Sequence, residues 1–153
     1  MEAVQLAALE EDVLGFPRGL DTEIGELGVR ISGGQRQRVG LARAIAAAAP
    51  GLPGLLVLDD PFSAVDVTTE ARIVASLKQA FGVDAPPRDR VTIIVCSHRL
   101  AAFPYADLVV VLQDGMVEEL GTHGELVAAS GLYARIFQAQ LNAEAVSIDG
   151  ARR

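Results

Sequence analysis

The chain has 153 residues, of which half are hydrophobic and 22% are charged. This length and balance fit one folded domain and exclude an intrinsically disordered chain. The formal net charge of −7 argues against a nucleic-acid surface, because binding to phosphates needs clustered Lys and Arg. A lone cysteine, Cys96, rules out an internal disulfide.

The first third of the chain predicts two helices joined by a connector. Residues 2–14 carry apolar positions near helical spacing and are followed by a glycine and a proline, which predicts a helix that ends there. Residues 16–29 are punctuated by Gly and Pro and predict a connector. A second helix is predicted over residues 34–49, where a run rich in Ala, Leu and Arg meets Pro50.

The rest of the chain predicts strands that alternate with helices. "LLVLDD" (Leu55–Asp60) and "VTIIVC" (Val91–Cys96) are short apolar runs, which predicts strands buried on both faces of a parallel sheet. Residues 67–81 predict a helix between them. A hairpin is predicted around Asp114-Gly115, and the capping box "THGE" (Thr122–Glu125) predicts the start of the C-terminal helices. The order is that of an α/β fold.

Two acids end the first predicted strand, and a histidine follows the second. In phosphoryl-transfer sites an acid such as Asp59 holds Mg²⁺, and the next residue, Asp60, can orient or deprotonate an attacking water. His98 can contact a γ-phosphate from its position. The alternatives are that the two acids only end a strand before Pro61, and that His98 is a helix cap or a packed surface residue.

The stretch "SGGQ" (Ser32–Gln35) stands directly in front of a predicted helix. Unpaired backbone N–H groups and the positive end of the helix dipole suit an anion there. The two glycines let a phosphate approach the backbone without a Cβ in the way. The alternative is a glycine-rich turn between elements.

In combination, "ISGGQRQR", "LLVLDDPFSAVD" and "IIVCSHRL" resemble the nucleotide-binding domain of ABC transporters, and the resemblance covers residues 2–141. It implies an α/β fold, namely part of a P-loop NTPase (RecA-like) ATPase domain. This domain is expected to have a parallel sheet core flanked by helices, part of the helical subdomain, and a C-terminal hairpin and helices. It implies a partial helical subdomain over residues 1–49, the C-terminal part of the RecA-like core over 50–141, and a loose tail over 142–153.

The resemblance also implies roles for individual residues. Asp59 is expected to be the Mg²⁺-associated carboxylate of the Walker B strand, Asp60 the catalytic base, and His98 the switch histidine that senses the γ-phosphate. The segment "SAVD" (Ser63–Asp66) is expected to be the D-loop, which runs along a dimer interface. Its residues Ser63 and Asp66 are expected to contribute to nucleotide binding. Ser32, Gly33, Gly34 and Gln35 are expected to form the signature motif. In the family this motif binds the γ-phosphate of an ATP that the opposite domain of a head-to-tail dimer holds.

Further features resemble exporters. "TEIGE" (Thr22–Glu26) is similar to the loop that touches the coupling helices of the membrane domains. The resemblance implies a location at the cytoplasmic face of the plasma (inner) membrane as part of a transporter, with the isolated chain soluble. The alternative for Glu23 and Glu26 is a solvated acidic loop.

The sequence departs from the family in two ways. No G-x-x-x-x-G-K-[ST] occurs, since the only lysine, Lys78, lies within a predicted helix. We therefore expect a C-terminal fragment of an exporter subunit that alone binds ATP weakly at most, although a short expressed protein starting at Met1 is the other explanation. Other classes remain open: a non-catalytic interaction module, or the ATPase head of a DNA-repair or chromosome-structuring protein.

The second departure is Asp60, where the family usually has glutamate. The shorter side chain withdraws the carboxylate by about 1 Å, and a misplacement of that size can cost on the order of 100-fold in rate. This substitution resembles the slow nucleotide site of exporters with two unlike halves. We therefore expect one half of a heterodimer, whose signature motif completes the faster site of its partner.

Overall fold

The computed structural model describes residues 1–48, 54–83 and 85–150 of the chain. The backbone divides into two units, Met1–His98 and Arg99–Arg153. The helices, strands and hairpin follow one another in the order that the sequence predicts, which confirms a mixed α/β chain. The predicted helix stop at Pro50 lies outside the described residues.

The described residues of the first unit form four α-helices: α1 (Glu2–Leu6), α2 (Glu10–Gly15), α3 (Gly33–Ala47) and α4 (Val67–Phe81). The bounds of α4 are those predicted, because the Asp66 side chain caps its first turn and Gly82 follows its last. The predicted connector between α2 and α3 contains one short 3-10 turn, Gly19–Asp21, and a single bridge between Ile24 and Val29.

The prediction of a single helix over residues 2–14 is wrong, because the helix is interrupted between α1 and α2. Ala8 has a left-handed φ of +53°, and its carbonyl oxygen accepts a hydrogen bond from the Arg38 guanidinium of α3. Arg38 also lies 2.9 Å from the carboxylate of Asp12, and fewer than one fifth of either side chain is exposed. A largely buried guanidinium needs acceptors, and this need outweighs the helix preference of alanine.

The strands β1 (Gly54–Asp59) and β2 (Val91–Cys96) form a two-stranded parallel sheet in which Asp59 pairs with Cys96. Leu56 and Leu58 are buried, and α3 packs against β1. The opposite face of the sheet is open, with Leu55 64%, Val57 57% and Ile94 46% exposed. The expectation that both faces of these strands are buried is therefore wrong for the described residues, because the described helices cover one face only.

The loop that follows β1 packs closely against the start of α3. A Cβ placed on Gly34 would lie 2.6 Å from the carbonyl oxygen of Ala64. Phe62 and Val65, on either side of this contact, are buried. Gly34 thus has a packing reason within the chain itself: only a residue without a side chain lets the helix and the loop approach so closely.

In the second unit, β3 (Val109–Gln113) and β4 (Met116–Gly121) form the predicted antiparallel hairpin. Asp114 and Gly115 both have positive φ, as a two-residue hairpin turn requires. The capping box predicted at Thr122 is present and starts α5 (His123–Ala129).

The last helix, α6 (Leu132–Gly150), packs on this hairpin unit through its first turns. Tyr133 is buried together with Leu100, Val109 and Leu126. The Glu119 carboxylate of β4 accepts the N–H groups of Leu132 and Tyr133 at 2.7 and 2.9 Å and so caps the helix. The tail expected to be loose from residue 142 onward instead continues α6 to Gly150, in a stretch that begins with good helix formers such as Ala and Glu. Among the described residues, no helix combines the length and apolarity needed to cross a membrane.

Two glycines of α3 provide a matched test of the contact between helix and loop. We expect Gly34→Ala to lower the free energy of unfolding by about 1–3 kcal/mol, because the new methyl group overlaps the Ala64 carbonyl. Gly40→Ala should raise it by about 0.5–1 kcal/mol, since no described atom lies within 4 Å of a Cβ there and alanine favours the helix. Urea unfolding of both variants measures the difference, and equal effects would contradict the contact.

The cap of α6 is tested by replacing Glu119. We expect Glu119→Ala to lower the free energy of unfolding by about 1–2 kcal/mol, because two N–H groups lose their acceptors. Glu118→Ala, on the exposed neighbour in the same strand, serves as the control and should change it by less than about 0.5 kcal/mol. Equal stabilities for the two variants in thermal or urea unfolding would show that the cap is unimportant.

Candidate functional site

The parallel register of the sheet brings two predicted site residues into contact. Asp59 pairs with Cys96 at the end of the sheet, and the Asp60 N–H donates to the Cys96 carbonyl at 2.7 Å. His98 leaves β2 at the same edge, and its Nδ1 lies 3.1 Å from Oδ1 of Asp60. An acid and an imidazole in direct contact at the carboxyl end of parallel strands can hold and move a proton.

Asp60 occupies an unusual backbone conformation at this point. Its φ is +46°, in the left-handed region that few residues other than glycine enter. Aspartate and asparagine tolerate this region better than most side chains, because their short polar groups can hydrogen-bond locally. The conformation turns the chain out of the strand at the residue that contacts His98.

The predicted signature residues form the capped start of α3. The Ser32 hydroxyl accepts from the Gln35 N–H at 3.1 Å, and Gln35 Oε1 accepts from the Ser32 N–H at 2.8 Å. Gln35 Nε2 also donates to Asp12 of α2 at 2.7 Å. The two polar side chains are thus engaged within the chain, so the groups left to meet an anion are the first-turn N–H groups of Gly33 and Gly34 and the positive helix end.

The predicted D-loop residues have different surroundings. The Ser63 hydroxyl accepts a hydrogen bond from Gln37. Asp66 caps α4 by accepting the Thr69 N–H at 2.9 Å. Hydrogen bonds from the Thr69 side chain and then from its backbone hold the pKa of the Asp66 carboxyl below its usual value, so it is ionised at neutral pH.

Gln37 is a contact residue that the sequence predictions missed. Its side-chain amide donates to the Asp60 carbonyl and the Ser63 hydroxyl, and its Oε1 accepts the Ala64 N–H. The one signal in the sequence is spacing, because Gln37 lies three residues after Gly34 and therefore on the same face of the helix. That face is the one that approaches the loop after β1.

An open depression of about 220 Å³ lies beside these groups and is lined in part by Gln37, Asp59 and Asp60. Within the described ranges, no group of three or more His, Cys, Asp or Glu side chains is placed to hold a metal ion. An exposed carboxylate such as Asp59 suits Mg²⁺ nonetheless, since this ion takes most of its ligands from water and from substrate phosphates. The donor set fits Mg²⁺ bound together with a phosphate, and it does not fit a metal cage built from protein alone.

The Thr22–Glu26 loop is exposed and folded back on itself. The Thr22 hydroxyl accepts the Arg18 N–H at 2.9 Å, and the Glu23 carbonyl accepts the Val29 N–H at 2.8 Å. The Arg18–Glu23 ion pair is 3.8 Å long and mostly solvent-exposed, so it contributes little to stability. Residues 23–26 of this loop are exposed to solvent, whereas Thr22 is half-buried.

Known proteins resemble this chain over nearly its whole length. No protein-family model matches it. An ATP-dependent lipid A-core flippase of Photobacterium profundum is 42% identical over 139 residues. A Bacillus subtilis protein named "Probable multidrug resistance ABC transporter ATP-binding/permease protein" is 40% identical over 139 residues. Each alignment covers 91% of this chain and 22% of the relative.

The folds also agree. The solved structure of a bacterial Atm1-family ABC exporter with ATP bound superposes with a TM-score of 0.74 and 34% identity, and the match covers 90% of this chain and 22% of the exporter chain. The chain thus spans about a fifth of the length of the relatives it matches. These findings confirm the resemblance that the three sequence motifs predict: the chain matches one part of ABC transporter ATP-binding/permease proteins of the exporter type.

Proposed function

We propose that this chain forms part of the ATPase domain of an ABC exporter and that Asp60 and His98 work there as a pair. The observation that carries the proposal is the 3.1 Å contact between Asp60 Oδ1 and His98 Nδ1 at the carboxyl end of β1 and β2. The ATP-bound exporter with a similar fold supports the choice of ATP as the ligand. On this proposal residues 1–49 belong to the helical subdomain and 50–141 to a RecA-like P-loop core.

Within this pair, the contact assigns one atom to each task. Oδ1 of Asp60 faces the imidazole, which leaves Oδ2 to orient or deprotonate an attacking water. Because Nδ1 of His98 faces the Asp60 carboxylate, Nε2 is the ring nitrogen that remains for a phosphate oxygen. Nε2 can donate to that oxygen whenever it carries a proton. A phosphate at Nε2 and a water at Oδ2 would thus both act on the contact between Asp60 and His98.

Asp59 would hold Mg²⁺, which supplies charge neutralisation to the phosphates when it is bound. The support is the exposed carboxylate at the end of β1, next to Asp60. A carboxylate on a strand is held by the sheet, so Asp59 keeps a fixed position relative to the water-orienting group. Ser63 and Asp66 would contribute to nucleotide binding from the loop after β1.

The signature residues would serve a nucleotide held by a second domain in a head-to-tail dimer. The capping box supports this, because it fixes the first turn of α3 while the Gly33 and Gly34 N–H groups stay available to a γ-phosphate. The exposed Thr22–Glu26 loop would contact the membrane domains of the transporter. On this proposal the domain would lie at the cytoplasmic face of the plasma (inner) membrane.

We further propose that the assembly is a heterodimer with unlike sites. The support is Asp60, whose carboxylate is one methylene shorter than that of glutamate and already contacts His98 with one oxygen. The site that contains Asp60 would be slow, while the signature motif of this chain completes a faster site on the partner. The exported substrate would be recognised by the membrane domains.

The first experiment measures ATP binding by the chain of 153 residues. We expect weak binding at most, because no lysine loop for the β- and γ-phosphates occurs in the sequence. Isothermal titration calorimetry with Mg·ATP, carried out on the unmodified chain and on Asp59→Asn, provides the measurement. Low-micromolar affinity that is lost in Asp59→Asn would contradict this expectation.

The second experiment measures steady-state ATP turnover in the reconstituted exporter that carries this segment. We expect Asp60→Asn to slow turnover less than about tenfold, whereas replacing the partner's catalytic acid should slow it on the order of 100-fold or more. Asp107→Asn, which alters an exposed carboxylate of the second unit, is the matched control. If Asp60→Asn stops turnover as completely as the change in the partner, the two sites are equivalent and the asymmetric proposal fails.

A further inference from the structure

A single side chain joins the start of α3 to the loop that carries the catalytic acid. Gln37 Nε2 lies 3.3 Å from the Asp60 carbonyl oxygen and 2.5 Å from the Ser63 hydroxyl, and both accept hydrogen bonds from it. Gln37 Oε1 accepts the Ala64 N–H at 2.8 Å. The amide therefore uses its donor end and its acceptor end on the same loop.

The backbone packing at this junction is tight independently of Gln37. Gly34 lies one helical turn before Gln37, on the same face of α3, and it leaves no room for a Cβ beneath the Ala64 carbonyl. Phe62 and Val65 anchor the loop in the core on both sides of Ala64. The loop and the first turns of α3 are thus held together at two successive turns, so we expect a displacement of one to displace the other.

The hydrogen bond to Asp60 involves its main chain, while its carboxylate contacts His98. Asp60 is therefore fixed from two directions, from α3 through its carbonyl and from the end of β2 through its side chain. Its left-handed φ of +46° is a conformation that persists only when the surroundings determine it. Gln37 supplies one of those constraints.

We propose that Gln37 is a positioning residue that couples the signature turn of α3 to Asp60 and the D-loop; this inference rests on the proposed function. A phosphate that pulls on the Gly33 and Gly34 N–H groups would act through Gln37 on the backbone of Asp60. The nucleotide site that α3 completes and the site that contains Asp60 are thereby linked inside one chain. On this proposal Gln37 acts through Asp60 and the loop rather than on the water or the phosphate.

The chemistry of the amide makes the proposal specific. Glutamate at position 37 keeps the acceptor for Ala64 but loses the donors for Asp60 and Ser63. Asparagine keeps both ends but is one methylene too short to reach them all. Alanine loses all three hydrogen bonds. We therefore expect Gln37→Ala to be the most disruptive change. Gln37→Glu loses the hydrogen bond to Asp60 but keeps the one to Ala64, so it distinguishes the effects of the two.

The first arm of the test uses the chain of 153 residues and needs no nucleotide. Amide hydrogen exchange at Ala64 should become about 2- to 10-fold faster in Gln37→Ala, the range expected for losing one typical hydrogen bond, and should change little in Gln37→Glu. Arg36→Ala, on the exposed neighbour in the same helix, is the control. If exchange at Ala64 is the same in all variants, Gln37 does not hold the loop and the proposal is overturned.

The second arm uses the reconstituted exporter with the partner's catalytic acid replaced, so that the residual hydrolysis reports the site of Asp60. We expect Gln37→Ala to lower that rate about 10- to 100-fold, while KM for ATP changes by less than about threefold. A variant that carries both Gln37→Ala and Asp60→Asn should hydrolyse ATP no more slowly than Asp60→Asn alone. A raised KM with an unchanged rate, or losses that multiply with those of Asp60→Asn, would overturn the coupling. If the unmodified exporter hydrolyses no ATP, the proposed function fails, while exchange at Ala64 still decides whether Gln37 holds the loop.

Discussion

The parallel pairing of β1 with β2 is the constraint on which the candidate site depends. Because Asp59 and Cys96 are register partners, the chain leaves both strands at one edge of the sheet, and Asp60 meets His98 there. A shift of the register by one residue would move every side chain of one strand to the other face and separate the pair. The chemistry that we propose is therefore a consequence of two short strands ending together.

Helix α3 adds a second constraint at the same edge. Its first turn approaches the loop after β1 at Gly34, and Gln37 binds the backbone of Asp60 and Ala64. The glycines of the predicted signature motif, Gly33 and Gly34, consequently have two proposed roles. Gly34 permits the close contact with Ala64, and the N–H groups of the same turn remain available to an anion. One stretch of sequence can thus serve a ligand on the outside and a loop on the inside.

The sequence predicts those elements whose signals are local. The hairpin at Asp114-Gly115 follows from turn chemistry, and α4 follows from its cap and its apolar stripe. Features that depend on distant contacts escape prediction: Ala8 breaks a helix because Arg38 needs acceptors, and Gln37 gains its role only where α3 meets the loop. The open sheet face bearing Val57 was also missed, since an apolar strand looks the same whether one face or two are covered. Motif order identified the candidate acid and histidine, but their contact could be seen only in the fold.

We propose that Asp60 and His98 act as one unit in ATP hydrolysis. A double-mutant cycle tests it most directly, with Asp60→Asn and His98→Ala made singly and together in the reconstituted exporter whose partner site is blocked. Residues that act as a unit have strongly non-additive effects. We expect the double variant to hydrolyse ATP no more slowly than the slower single variant. Losses that multiply, as expected for two independent residues, would contradict it.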